Sequence, residues 1–264
     1  MINFFNEQLK YALYEASVQD PEFDIELFYR FYKDVFEGEK PYRLREDFCG
    51  TFWLCTEWVK ESARNRAVGV DIGTEPIKYG MTHHYEPLTE SQKSRVEIVK
   101  QDVRVATREK FDLIAASNFS YNIFKKRAEI LSYFKSVYRS LGRQGLFVMD
   151  HFGGPGSVDI GKERKKVKLG SKKYVYSWET HSYNALTSEA LFYIHFKEQK
   201  GPKFEKAFEY DWRLWSIPEL RDLLAEAGFK KSIIYWEDDD DGFIEAEKSD
   251  PEDDQWMVQI VGVK

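Results

Sequence analysis

The chain is short of cysteine: Cys49 and Cys55 are the only two in 264 residues. They lie six apart, across a loop and the helix it opens, with no histidine near them. A disulfide framework and a cysteine-built zinc site are therefore excluded. No apolar run approaches the roughly 20 residues that a membrane-spanning helix needs. Met1-Ile2-Asn3-Phe4-Phe5 has no basic stretch leading into an apolar one, so no secretory signal is expected either. These absences lead to the expectation of a soluble, cytoplasmic protein, monomeric or homodimeric. Surplus positive charge is missing too. A net charge of −6 makes the surface as a whole unsuited to nucleic acid, whose affinity comes largely from neutralised phosphates. Nothing marks a metal site. Glu237-Asp238-Asp239-Asp240-Asp241 reads as a solvated turn, since adjacent acids repel unless a shaped loop makes them converge.

One stretch runs against the acidic balance. Lys162, Arg164, Lys165, Lys166, Lys168, Lys172 and Lys173 fall within twelve residues that contain a single acid, Glu163. The run reads as a solvated loop and strand edge, with an anionic substrate or partner as the alternative. Aromatics are abundant, at 20 Phe, 16 Tyr and 7 Trp, and many lie after residue 156.

Hydrophobic periodicity places helices over Gln8 to Glu37, in two pieces broken at Asp20-Pro21, then over Trp53 to Ala63, from Pro76 toward His84, and over Lys125 to Leu141. Strands alternate with them: Arg66 to Ile72, Val96 to Lys100, Phe111 to Ser117 and Gly145 to Asp150, after a first strand ending near Arg45-Glu46-Asp47. After Gly153-Gly154-Pro155-Gly156 the pattern changes to three aromatic-rich strands without helices, Lys173 to His181, Ala190 to Lys197 and Phe204 to Leu214. Ser216-Ile217-Pro218-Glu219 is a capping box for a helix closed by Gly228. Phe229 to Trp236 and Trp256 to Val263 then pair as a final hairpin. The fold class is α/β: a doubly wound, mostly parallel seven-stranded Rossmann-like sheet ending in an antiparallel hairpin, with an antiparallel β insertion after strand five. Its parts are a helical lid over residues 1–40, a cofactor-binding core over 41–155, a substrate-covering insertion over 156–214 and the rest of the core over 215–264.

Four motifs occur in order: Phe48-Cys49-Gly50-Thr51 after the first strand, Val70-Asp71 after the second, Gln101-Asp102-Val103 after the third, and Trp215-Ser216-Ile217-Pro218-Glu219-Leu220 through Gly228-Phe229. Together they resemble the class I S-adenosylmethionine-dependent methyltransferases, over about Leu44 to Lys264. The resemblance implies that S-adenosylmethionine is bound by the loop Cys49, Gly50 and Thr51. One of Glu46 and Asp47 would meet the methionyl amino group, Asp71 and Ile72 the ribose, Asp102 and Val103 the adenine, and Asn118 would stand at the pocket. The loop departs from the family pattern in keeping one glycine of three, with Phe48 and Phe52 at the outer positions.

The implied reaction is in-line methyl transfer to an N or O nucleophile of a small molecule. Asn118-Phe119-Ser120-Tyr121 resembles an amine-binding motif of amino methyltransferases without its prolines. Tyr121, Asp150, His151 and His181 are the candidate catalytic residues, and Tyr14, Tyr121, Tyr183 and Arg213 the candidate substrate contacts. His83-His84 is expected to serve a helix C-terminus. Three competing readings remain. A nicotinamide oxidoreductase would need a GxGxxG loop, which is absent. A non-catalytic binding module is suggested by Phe48 and Phe52. An RNA or protein acceptor would use Lys162 to Lys173.

Overall fold

The computed structural model describes residues 7–238, 242–246 and 254–264. Two N-terminal helices, α1 (Glu7–Val18) and α2 (Pro21–Val35), break where the sequence breaks. Asp20 caps α2 by accepting from the Phe23 N–H at 3.2 Å, and Pro21 fills the first turn, where its missing N–H costs nothing. The core strands are β1 (Arg43–Asp47), β2 (Arg66–Asp71), β3 (Val96–Lys100), β4 (Phe111–Ala116) and β5 (Leu141–Gly153). Between them run α3 (Trp53–Glu61), α4 (Thr74–Gly80), a π turn (Met81–Tyr85), the short α5 (Glu90–Lys93) and α6 (Arg127–Ser140). Four strands form the insertion: β6 (Gly161–Leu169), β7 (Lys172–Asn184), β8 (Glu189–Glu198) and β9 (Lys203–Arg213). The chain closes with α7 (Ile217–Ala227), β10 (Lys231–Asp238), β11 (Gly242–Glu245) and β12 (Trp256–Val263).

The large sheet has the order β11-β10-β12-β5-β4-β1-β2-β3, parallel from β3 to β5 and antiparallel beyond. Each face is covered. Ile25, Phe28 and Phe31 of α2 join Leu54, Trp58 and Val59 of α3 on one side; Ile130, Phe134 and Val137 of α6 join Leu220, Leu223 and Leu224 of α7 on the other. The expected sheet is therefore there, with one strand more. The acidic connection between the last two core strands does not simply turn: β10 runs on to Asp238 and β11 pairs with its outer edge, giving eight strands instead of seven. Residues 239–241 of the acidic run, and Met1 to Phe5, lie outside the described residues.

The insertion is a separate antiparallel sheet in the order β6-β7-β8-β9. It holds one strand more than expected, because the lysine-rich run, read as loop and edge, is itself the edge strand β6. Its inner face packs on α1, where Leu13 is buried among Val167, Tyr174, Ile194 and Phe196. Strand β5 also exceeds expectation, running to Gly153. That glycine permits a close crossing, since a Cβ there would stand 2.4 Å from the Trp256 ring.

Candidate active site

The strands β1, β2, β4 and β5 deliver their carboxyl ends to one edge of the sheet, where ligands of such sheets lie. The loop after β1 takes a tight path with Phe48 at φ 57°, Gly50 at φ 51° and Phe52 at φ 47°. The two phenylalanines thus occupy the left-handed conformation that glycine usually supplies, at about 1–2 kcal/mol each. Packing holds them there. Phe48 sits among Phe124 and Tyr133, and Phe52 is fully buried against Gly80, where any Cβ would collide with the Thr51 carbonyl and the Phe52 ring. A Cβ on Gly50 would meet nothing within 4 Å, so the loop faces open space at its one glycine.

Asp71, at the end of β2, closes this loop. Its carboxylate accepts from the Gly50 N–H at 2.8 Å and the Gly73 N–H at 2.6 Å. Each oxygen keeps a second lone pair for a hydroxyl. Ile72 beside it is 68% exposed, an apolar surface at the mouth of the crevice. Glu46 and Asp47 point to opposite sides of β1, as strand alternation requires. Asp47 is committed: fully buried, it accepts from Arg45 Nε at 2.6 Å and from the Tyr133 hydroxyl at 3.0 Å. Glu46 is the acid left for a ligand. It accepts from Cys55 Sγ at 3.0 Å, and its pKa is pushed up to about 8 by burial, with the charges of Asp24 and Asp71 adding to the rise. Asp24 of α2 is pushed up to about 7, by burial first and then by Asp150. Glu46, Asp24 and Asp71 make no ion pair among the described residues.

Other expected cofactor contacts are placed differently. Cys49 is buried, its thiol raised by burial, and packs against Gly69, where a Cβ would lie 2.9 Å from Sγ; only its backbone can serve a ligand. The buried Thr51 hydroxyl donates to Glu15 of α1 at 2.6 Å instead of facing the crevice. Asp102 is held by the Arg104 backbone and guanidinium, at 2.8 and 2.6 Å, which lowers its pKa. Val103 is buried and its carbonyl accepts from Arg45 Nη2 at 2.8 Å, while its N–H has no hydrogen-bond partner among the described residues.

Beside the crevice lies a cavity of about 480 Å³, roofed by the inner face of the insertion. Tyr14, Asn118, Phe119, Phe152, Trp178 and Tyr210 are among its walls, with Tyr176, Trp212 and Trp256. Tyr14 shares a hydrogen bond with Tyr210, and its burial pushes the phenol up to about 12. Asn118 and Phe119 are both left-handed, at φ 57°, and Asp150 holds them so, taking the Asn118 N–H at 2.7 Å and the Phe119 N–H at 2.8 Å. Burial pushes Asp150 up to about 7, against these hydrogen bonds.

Several expected residues are removed from the site. Tyr121 and His151 are buried and bonded to each other, Tyr121 hydroxyl to Nδ1 at 2.7 Å, and burial lowers the His151 pKa to about 4. Alternation on β5 turns His151 away while Phe152 lines the cavity, and Tyr121, in the short 3-10 turn Ser120–Ile123, joins it; neither lines the cavity. His181 points away from the cavity, because Thr180 takes the inward position on β7, and it bonds Glu179 at 3.1 Å. Tyr183 is exposed past the irregularity in β7 at Thr180/Ser182. Arg213 braces the fold: its guanidinium lies 3.7 Å from the Trp215 ring centroid and bonds Glu219 and the Lys125 carbonyl. Of the histidine pair, His83 caps the Tyr79 carbonyl as expected, and His84 instead donates to Glu15 at 2.6 Å. The sequence reading missed the roof residues Tyr176, Trp178, Tyr210 and Trp212. Their signal was present as aromatic residues two apart on β7 and β9, one face of each strand.

No family model and no curated protein matches this sequence. Solved structures do match in fold. The sugar N-methyltransferase KedS8 from Streptoalloteichus is 18% identical, with 95% of this chain and 90% of that one covered and a TM-score of 0.67. The amino pentose methyltransferase CalS10 from Micromonospora echinaspora, solved with S-adenosylmethionine bound, is 12% identical over the whole of both chains at a TM-score of 0.71. Streptomyces venezuelae DesVI is 15% identical over 98% of each, with a TM-score of 0.73. The chain has the class I methyltransferase fold.

Proposed function

We propose that the chain is an S-adenosylmethionine-dependent methyltransferase acting on an amine of a small molecule. The observation that carries this reading is the acid-walled crevice formed by Gly50, Asp71 and Glu46, opening beside an aromatic cavity. The residues fit the cofactor: an open glycine, a carboxylate with free lone pairs on the ribose side, a buried acid for an ammonium, an exposed isoleucine and a free N–H at Val103 for a purine. S-adenosylmethionine, when bound, supplies an activated methyl on a sulfonium. The chain's own part is alignment and exclusion of water. Phe119, Trp178, Tyr210 and Trp212 shield the cavity, and their ring faces tolerate a cation. Asp150 fixes the backbone that presents Asn118 and Phe119. Nitrogen is favoured over oxygen because the lining holds no histidine and a single carboxylate, on the β6 side. Its one carboxylate, Glu163, accepts from Gln255, and its tyrosines are raised by burial. A neutral amine attacks without prior deprotonation, whereas a hydroxyl needs a base. Similarity in fold to proteins described as sugar and glycopeptide N-methyltransferases supports the same reading.

The test is incubation with S-adenosylmethionine and a panel of amino sugars and their hydroxyl counterparts, read by mass spectrometry. Formation of S-adenosylhomocysteine with a methylated amine supports the proposal. Turnover confined to hydroxyl acceptors would reject the choice of nitrogen.

A further inference from the structure

We propose that the acceptor is an amine carrying an anionic group, phosphate or carboxylate, which Lys165 receives at the β6 side of the cavity with Arg164 beside it. This rests on reading the cavity as the methyl-acceptor site. Strand β6 is basic at most positions, and register separates two roles within it. Lys162 stands opposite Glu179 and pairs with it at 2.7 Å on the outer face. Glu163 and Lys165 stand opposite Trp178 and Tyr176, which line the cavity, and they line it too. Lys165 Nζ lies 5.2 Å from the Tyr176 ring centroid.

Neither Lys165 nor Arg164 makes an ion pair among the described residues, although Arg164 also lines the cavity. Glu163, on the same face, accepts from Gln255 Nε2 at 3.0 Å and makes no ion pair with Lys165 among the described residues. Lysines on an edge strand commonly guard against pairing with another chain. Lys162, Lys166 and Lys168, at the alternate positions, already serve that end; it does not call for a cation on the cavity side, over a tyrosine. At the other end, the carboxylate of Asp150 lies beneath Asn118 and Phe119. A weaker gradient of charge remains across the cavity: net positive at β6, where two cations face the one acid Glu163, and partly negative under the strand ends, where burial raises Asp150 to about 7. An amine with a distant anion fits that gradient one way round, with its nitrogen toward the crevice.

The test is calorimetric titration of the full chain, with S-adenosylhomocysteine present, using glucosamine, glucosamine 6-phosphate and glucosaminuronate as probes. An anionic probe is expected to bind about tenfold more tightly than glucosamine, the effect of one charge-assisted hydrogen bond. Lys165→Ala should remove most of that advantage and leave glucosamine and S-adenosylhomocysteine binding unchanged. An advantage confined to one anionic probe supports the proposal and assigns the group. Equal binding of all three, no binding of any at millimolar concentration, or an advantage that survives Lys165→Ala combined with Arg164→Ala overturns it. Failure of the methyltransferase reading itself would look different: S-adenosylhomocysteine would not bind the parent chain, while any dependence of the anionic probes on Lys165 would remain measurable without it.

Discussion

At the scale of the residue, the loop after β1 was the most ambiguous feature of the sequence, because Phe48 and Phe52 stand where glycines are usual. Both take the glycine conformation, so the loop keeps its path at a cost in strain that ring burial offsets. The sequence could show the substitution but not the φ values, which depend on packing partners such as Gly80 far along the chain. A reversal of the ordinary ranking is expected at Phe52. Both Phe52→Ala and Phe52→Gly lose the buried ring, about 3–5 kcal/mol. The glycine variant also sheds the left-handed strain and should be the more stable of the two by about 1 kcal/mol in urea unfolding. Alanine equal to or better than glycine would contradict the left-handed geometry. Glu46 offers a second test. Its pKa of about 8 in the folded chain exceeds that of an ordinary glutamate, about 4 when unfolded. Between those values the folded state holds a proton that the unfolded state has lost, so this stabilisation is complete in acid and is lost as pH rises toward 8. Glu46→Gln, permanently neutral, should flatten the decline of stability between about pH 5 and 8, measured by denaturant titration without ligand. An unchanged slope would show that the carboxyl is already ionised at neutral pH.

Among the elements, α1 is the one whose role the sequence left open between a lid and a helix packed at the sheet edge. It is latched. Glu15, buried on α1, takes hydrogen bonds from Thr51 at 2.6 Å and His84 at 2.6 Å, joining the helix to the loop and to the π turn. Tyr14, one position away, lines the aromatic cavity, so the same helix touches both the loop and the cavity. Glu15→Ala removes two short hydrogen bonds and leaves buried donors unpaired, about 1–3 kcal/mol. The expected result is an increase of about tenfold or more in amide exchange over residues 7–18, with β1, β4 and β5 unaffected. Uniform protection, or a rise spread over the whole sheet, would refute the latch. Boundaries set by strong local signals, such as Asp20-Pro21 and Ser216-Ile217-Pro218-Glu219, were legible from residues alone. Strands β6 and β11 were not. Each is an edge strand whose local signal is too weak, in β6 because of its run of charges and in β11 because of its four-residue length, and its pairing depends on a neighbour that local pattern does not reveal.

Across the whole molecule, the mostly parallel sheet covered on both faces followed from alternation of helix and strand, and so did the location of the crevice at the carboxyl ends of β1 and β2, whereas the order of the strands came from the structure alone. The aromatic cavity was only partly legible. Its floor residues Asn118 and Phe119 belong to a motif visible in sequence, whereas its roof comes from a distant sheet whose inward face is set by register. The same register moved His181 outward and, with β5, buried His151, so histidines that seemed available for proton transfer serve the fold. What unites the molecule is the placement of its charges: Glu46, Asp24 and Asp71 near the loop and Arg164 and Lys165 at β6 make no ion pairs among the described residues, with aromatics between. The most direct measurement is calorimetric titration of the chain with S-adenosylmethionine and S-adenosylhomocysteine, repeated for Asp71→Ala. Binding of both, with the charged cofactor no weaker than the product and each weakened about tenfold or more by the substitution, is the expected result. No binding of either at millimolar ligand, or binding indifferent to Asp71, would contradict the assignment of the crevice.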